Sequence, residues 1–407
     1  TIDPLANFPP VTGPPIRRLW LPPARFEERS TNRSISSLEL FFDLVFVVIV
    51  AQLAHRLAEH PSWEGAGWFV FLFYAVWSSW TNGTLYYDLH WTDDVSVRVF
   101  TFAQMLAVAV MGVYIGDVPG EGSVGFALAY AANIAVLVVM WFRTGVHDPS
   151  HRPASIPYST GYLLSALAFG ASVFVDPAGR YWLWAVGLLM EVLGQVSAFK
   201  LWTPPESQTG VAVVAVTRSL VERLGLFVII VLGEVIVGAV NGMADIELGG
   251  DGIKIGLLGV VVAIGLWWIY FDLVSHHLPI SSQSQVWLNL HLPLVMAIAA
   301  GGAGVLNTVE HAATALPDAV RWLLVGSLAA AIVTVVALTH TLEVRQIAAR
   351  PYRTAEIALF VSAVLVLGVG LTNWGASATL GALVILLLAP VGVGMSVWVK
   401  RVIVEQH

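Results

Sequence analysis

Glu39 and Asp43 stand four residues apart at the start of a strongly apolar stretch that runs on through Leu53. On a helix that spacing puts both carboxyls on one face, where they repel unless a cation or an arginine lies between them. The plainer alternative is a pair of acids favoured by the positive end of the helix dipole. A second acidic set lies in Asp88-Leu89-His90-Trp91-Thr92-Asp93-Asp94, with Arg98 shortly after. Asp88, Asp93 and Asp94 could hold Mg²⁺, which takes a few carboxylates together with substrate phosphate and water. Equally, they are solvated loop acids, with Asp94 capping the helix that follows.

Glu222-Arg223 and Gly233-Glu234 occupy one apolar run. Twelve residues at about 1.5 Å rise put Glu234 roughly 18 Å from Glu222, near the middle of a hydrocarbon core about 30 Å thick. An acid there must be protonated, paired with a cation or open to a wet cavity. Glu191 poses the same question without a surrounding motif. Asp272 and His276 are spaced i, i+4, with His277 beside them and His291 further on. Such a set could bind a divalent metal or relay protons, although lone interfacial histidines more often cap a helix or hydrogen-bond. Trp77, Trp80, Tyr86, Tyr87, Trp267, Trp268, Tyr270 and Phe271 fit interfacial belts, or the wall of a cavity that stabilises a cation. Gly301, Gly302 and Gly304 permit close helix contact.

The elements that must position these groups are apolar helices. Of 407 residues, 57% are hydrophobic and 12% charged, and the mean hydropathy of +0.77 excludes a soluble enzyme. Apolar runs recur at about 36–58, 64–82, 97–116, 123–143, 158–175 and 180–199, then at 219–240, 252–275, 286–306, 319–341, 355–372 and 376–399. At about 20 residues per crossing, twelve spans leave roughly 167 residues for a tail and short connections, with no sizeable domain outside the bilayer. The fold class expected is therefore all-α, a polytopic bundle of about twelve membrane helices. There is no cysteine, which removes disulfides and thiolate chemistry, and a net charge of −7 excludes a generally basic nucleic-acid binder. No Walker loop, GxSxG elbow or HExxH appears.

Positive charge gives a direction. With the N-terminus inside, only Arg56, Arg180, Lys254 and Arg321 fall outside, while Arg17, Arg18, Arg25, Arg29, Arg33, Lys400 and Arg401 stay cytosolic with the rest. The expected organisation is a cytosolic Pro/Arg-rich tail at 1–34, a six-helix half at 35–202, a cytosolic linker at 203–218, a second half at 219–401 and a short cytosolic end at 402–407. The halves resemble each other weakly: Ser37-Leu38-Glu39 through Leu53 reads like Leu220-Val221-Glu222 through Ile236. Because six is even, two such copies would share one orientation, as in some transporters.

Four stretches carry a family resemblance. Glu39-Leu40-Phe41-Phe42-Asp43-Leu44-Val45-Phe46-Val47 is similar to the opening signature of the bacterial low temperature requirement A family of polytopic membrane proteins. Asp93-Asp94 with Arg98, Glu222-Arg223 through Gly233-Glu234, and Trp267-Trp268-Ile269-Tyr270-Phe271-Asp272 fit it too. The resemblance implies a place in the bacterial cytoplasmic membrane and singles out Glu39, Asp43, Asp94, Arg98, Glu222, Arg223, Glu234 and Asp272. It departs at a His often found shortly before the Glu-Arg pair, where Ser219 stands in this sequence.

Three functions are compatible with these residues. In the first, a cavity open to the cytosol moves a small molecule or ion as a secondary transporter does, with Glu234 as coupling acid, Asp43 and Glu39 beside it, and Arg98, Glu222, Arg223, Asp272 and His276 binding substrate. In the second, a Mg²⁺-dependent intramembrane enzyme acts on an isoprenoid diphosphate or lipid phosphate, with Glu39, Asp43, Asp88, Asp93 and Asp94 holding the metal and Arg98 and Arg223 neutralising phosphate charge. The third is a membrane sensor or assembly partner. The partners expected are the lipid bilayer, a small-molecule, ion or lipid-like ligand, no nucleic acid, and in one arrangement a second copy of the chain. Glu39, Asp43, Arg98, Glu222 and Arg223 should meet in one pocket, since pairing lowers the cost of charges facing lipid.

Overall fold

The computed structural model describes residues 19–25, 33–201, 216–244, 250–312 and 314–405. Most of the 1–34 tail and the 203–218 linker, with Arg17, Arg18 and Arg29, lie outside the described residues.

Among the described residues the regular elements are helices, with one isolated bridge between Pro279 and Leu342. The first six long helices are α1 Ser37–Glu59, α2 Trp63–His90, α3 Val95–Ile115, α4 Gly122–His147, α5 Arg152–Ala171 and α6 Pro177–Leu201. They are followed by α7 Arg218–Ala244, α8 Gly250–Leu273, α9 Ser284–Glu310 and α10 Asp318–Thr339. A short α11, Glu343–Ile347, leads into α12 Ala349–Gly370 and α13 Ala376–Glu405. Ten of these helices are long and apolar enough to cross a membrane. The other two long ones, α2 and α5, span 28 and 20 residues but carry polar runs such as Ser78-Ser79 and Ser159-Thr160. Among the described residues, ten helices therefore qualify as membrane spans where about twelve were expected.

A lipid solvent explains the surface. Leu106, Val113, Leu167, Ile385 and Leu388 are all more than half exposed along their helices, a pattern that in water would be a liability. Helices satisfy their own backbone hydrogen bonds, which is what a bilayer demands.

Two compact units emerge from the packing. One comprises 1–30, 82–107 and 127–202; the other comprises 31–81, 108–126 and 203–407. Compactness therefore does not follow the 35–202 and 219–401 halves, because α1 and the first part of α2 group with the second half of the chain. In the larger unit α9 is the hub: it packs on α10, α7, α1 and α8, and 72% of its apolar window is buried, against 33% for α13. Glycine makes this approach close. A Cβ on Gly304 would sit 2.9 Å from the Leu324 Cα of α10, and one on Gly238 of α7 would sit 2.9 Å from the Gly302 carbonyl oxygen of α9. In the smaller unit α5 and α6 form the tightest pair.

Gly304→Leu should therefore destabilise the protein by about 1–3 kcal/mol through overpacking against backbone. Gly326→Ala, where no neighbour lies within 4 Å of the new Cβ, should stay within about 0.5 kcal/mol of wild type. Thermal unfolding of both variants in one non-ionic detergent checks the contrast, and equal transitions would show that the α9–α10 contact is loose.

Candidate functional site

Helix α1 begins with a sequence that organises its own acids. Ser36 is the N-cap: its hydroxyl accepts from the Glu39 amide at 3.2 Å, and Glu39 Oε2 accepts from the Ser36 amide at 3.0 Å. This reciprocal pair is a capping box. Arg33 reaches the same carboxylate with both terminal nitrogens, at 2.7 and 2.8 Å. One turn on, Asp43 accepts from the Trp80 indole N–H at 2.8 Å.

Arg223 of α7 completes the group. Its Nε and Nη2 donate to the two Asp43 oxygens at 3.2 and 2.5 Å, and its Nη1 lies 3.5 Å from Glu39 Oε1. The fork matches the carboxylate plane, the strong geometry for such a pair. The Phe42 and Trp80 rings flank the guanidinium, each 5.8 Å from its carbon. Glu39, Asp43 and Arg223 are each no more than 2% exposed. Two acids and two guanidiniums leave this cluster electrically neutral, with the arginine that the Glu39/Asp43 spacing demanded lying between them. Ser219, one turn before Arg223, is buried and shares a hydrogen bond with Thr217.

Within the larger unit, Glu222 does not join this cluster. Glu222 is exposed, because neighbours on a helix point in different directions and only one of Glu222 and Arg223 can face α1. Arg98 is 61% exposed and pairs with Asp93 at 3.4 Å. Of Asp88, Asp93 and Asp94, the last is the most engaged: Asp94 Oδ2 accepts from the amides of Leu21 and Ser96, and its Oδ1 from the Thr92 hydroxyl. Its oxygens hold the α2–α3 loop and cap α3. Asp88 is buried near the end of α2.

Asp272 and His276 do not share a helical stripe either. Helix α8 ends at Leu273, and His276 is exposed with φ 70°, beyond the helix. Asp272 lies against Gly394 of α13, whose Cβ would come within 3.3 Å of its Oδ2. His291 is buried: its Nδ1 donates to the Trp287 carbonyl and its Nε2 accepts from the Tyr270 hydroxyl at 3.1 Å. Most of the aromatic set is interior packing instead of an interfacial belt. Trp77, Trp80, Tyr86, Tyr87 and Tyr270 are all under 5% exposed, while Trp267 is 43% exposed. The cation that Trp80 stabilises is the chain's own Arg223.

Two further acids lie within the helices. Glu234 of α7 is 9% exposed, and among the described residues no hydrogen bond or ion pair engages its carboxyl. Its backbone touches α9, where a Cβ on Gly302 would come within 3.3 Å of the Glu234 carbonyl. Glu191 of α6 is 1% exposed and held by polar groups from three other helices. Tyr130 and Ser165 donate to its Oε1 at 3.0 and 2.6 Å, and the Asn82 amide approaches its Oε2 at 3.4 Å. Asn82 in turn accepts from Gln195 at 3.0 Å.

Removing Arg223 should leave two buried carboxylates without their shared cation and cost about 3–5 kcal/mol. Arg223→Met is expected to unfold early or fail to express, whereas Arg223→Met/Asp43→Asn, which keeps the Arg33–Glu39 pair, should recover at least half of the loss. Fluorescence-detected size exclusion after a temperature series checks this. No recovery in the double variant would mean that Arg223 acts through packing and not through charge.

The sequence profile of the bacterial low temperature requirement A protein matches residues 34–389. An uncharacterized protein of Rhizobium meliloti (strain 1021) is 28% identical over 250 residues, which cover 60% of this chain and 60% of that protein. The match to the relative thus spans less than two thirds of its length. The profile, by contrast, runs from the last residues before α1 into α13 and takes in Glu39, Asp43, Arg223 and Glu234. The chain is a polytopic helical membrane protein that belongs to the bacterial low temperature requirement A family.

Proposed function

We propose that this protein moves a small molecule or ion across the bacterial cytoplasmic membrane as a secondary transporter does, with both termini cytosolic and Glu234 as the coupling acid. The observation that carries this reading is the Glu234 carboxyl: it lies midway along a membrane helix, mostly out of solvent, with no hydrogen bond or ion pair among the described residues. Ionised carboxyls at the centre of a bilayer cost several kcal/mol, so the charge state of such a group follows whatever water or cation reaches it. A carboxyl already held by arginine, as Glu39 and Asp43 are, has no such freedom. The two roles therefore separate: Glu39, Asp43 and Arg223 join α1 to α7, and Glu234 further along α7 binds and releases the coupling ion. Glu191, held by neutral hydroxyl and amide groups, is a second position at which a proton or cation would be accommodated.

Proteoliposomes loaded with a pH-sensitive dye test this reading under imposed sodium, potassium or amine gradients. At least one gradient should drive proton movement that empty liposomes lack. Glu234→Gln should reduce that movement to the empty-liposome level, while Glu310→Gln, at the exposed end of α9, should leave it unchanged. Full coupled flux in Glu234→Gln would remove the assigned role.

A further inference from the structure

A cavity of about 570 Å³ lies beside the start of α12, well along the chain from the Glu39/Arg223 cluster, and it is lined by Val336, Arg345, Arg353, Glu356, Ile357, Phe360 and Val361. Its chemistry is divided. Two guanidiniums stand at one end, and aliphatic and aromatic side chains form the rest. The acid within it is already engaged: Arg345 donates to both Glu356 oxygens at 2.5 and 3.2 Å, and the Thr339 hydroxyl adds a bond at 3.1 Å. His340 lies 3.7 Å from the same carboxylate. Arg353 is exposed, and no hydrogen bond or ion pair holds it among the described residues. With Glu356 offset by Arg345, the charge of Arg353 is left over.

The apolar part continues along α12. Arg353, Ile357, Phe360, Val361 and Val364 recur at helical spacing and so form one stripe. Ile357, Phe360, Val361 and Val364 are 57%, 60%, 49% and 53% exposed. Eleven residues at about 1.5 Å rise extend this stripe roughly 16 Å from the guanidinium, a length suited to an acyl chain. A free anion would make no use of such a wall, and an uncharged chain would make no use of Arg353. Basic pockets between membrane helices with an apolar continuation are suited to anionic lipid headgroups.

We propose that this cavity binds one anionic phospholipid, its phosphate on Arg353 and the outer face of Arg345 and one acyl chain along Ile357, Phe360 and Val361. The test is native mass spectrometry and thermal unfolding of the full chain in non-ionic detergent. The added probes are phosphatidylglycerol, phosphatidylcholine or inorganic phosphate. Phosphatidylglycerol should give a retained one-lipid adduct and raise the unfolding temperature more than the other two. Arg353→Ala should weaken that adduct about tenfold while unfolding like wild type without lipid, because the side chain is exposed. Phe360→Ala should lower the response to long-chain phosphatidylglycerol but not to its short-chain form. Equal responses to phosphatidylglycerol and phosphatidylcholine, a shift reproduced by inorganic phosphate alone, or an undiminished adduct in Arg353→Ala would each overturn the assignment.

Discussion

The contact on which the larger unit depends is the fork between Arg223 and Asp43. An isolated charge of either sign at that depth would carry a desolvation penalty of several kcal/mol, and mutual attraction repays it only when geometry is good and the remaining hydrogen-bonding positions are filled. Every such position has a partner here: Trp80 and the guanidinium on Asp43, Arg33 and the Ser36 cap on Glu39, two aromatic faces on Arg223. The arrangement links α1 to α7 across 180 residues of sequence, and α9 packs on both helices. Its net neutrality is what allows it to be buried at all.

Against that fixed cluster, the other intramembrane acids divide by the partners they find. Glu356 has an arginine and a hydroxyl, Glu191 has hydroxyls and an amide, and the Glu234 carboxyl has no hydrogen bond or ion pair among the described residues. Partner chemistry thus runs from ionic compensation through neutral hydrogen bonds to burial alone. Acids at the first end of that series hold helices together.

How much of this was legible in the sequence depended on the distance over which each signal acts. The helices are legible because hydropathy is local, and most run boundaries lie within about four residues of the helix ends; the run at 64–82 stops short of His90, and those at 158 and 355 begin late, where polar residues at the helix ends break the apolar signal. The shared face of Glu39 and Asp43 followed from i, i+4 spacing, and the need for an arginine followed from charge repulsion. The capping box is also written locally, as the S-x-x-E pattern of Ser36-Ser37-Leu38-Glu39, a signal that the dipole alternative for Glu39 leaves out. Which arginine would answer was not local. Arg98 and Arg223 are alike in composition and flank similar apolar runs, and only tertiary packing turns one inward. The same limit applies to Glu191, whose partners Asn82, Tyr130 and Ser165 come from three other helices. Asp272 and His276 failed for a shorter-range reason, since the helix ends between them and the i, i+4 relation lapses.

The glycines of α7 and α9 have a mechanical consequence. Gly238 and Gly302 remove side chains from the line where the two helices touch, so that part of the contact is a smooth surface with little to interlock. Arg223, at the start of α7, is fastened by charge. The close approach recurs one turn on, where a Cβ on Gly242 would sit 2.9 Å from that of Val309. Helix α7 is therefore held by charge at its start and by backbone contact along the rest, and Glu234 lies between the two kinds of fastening.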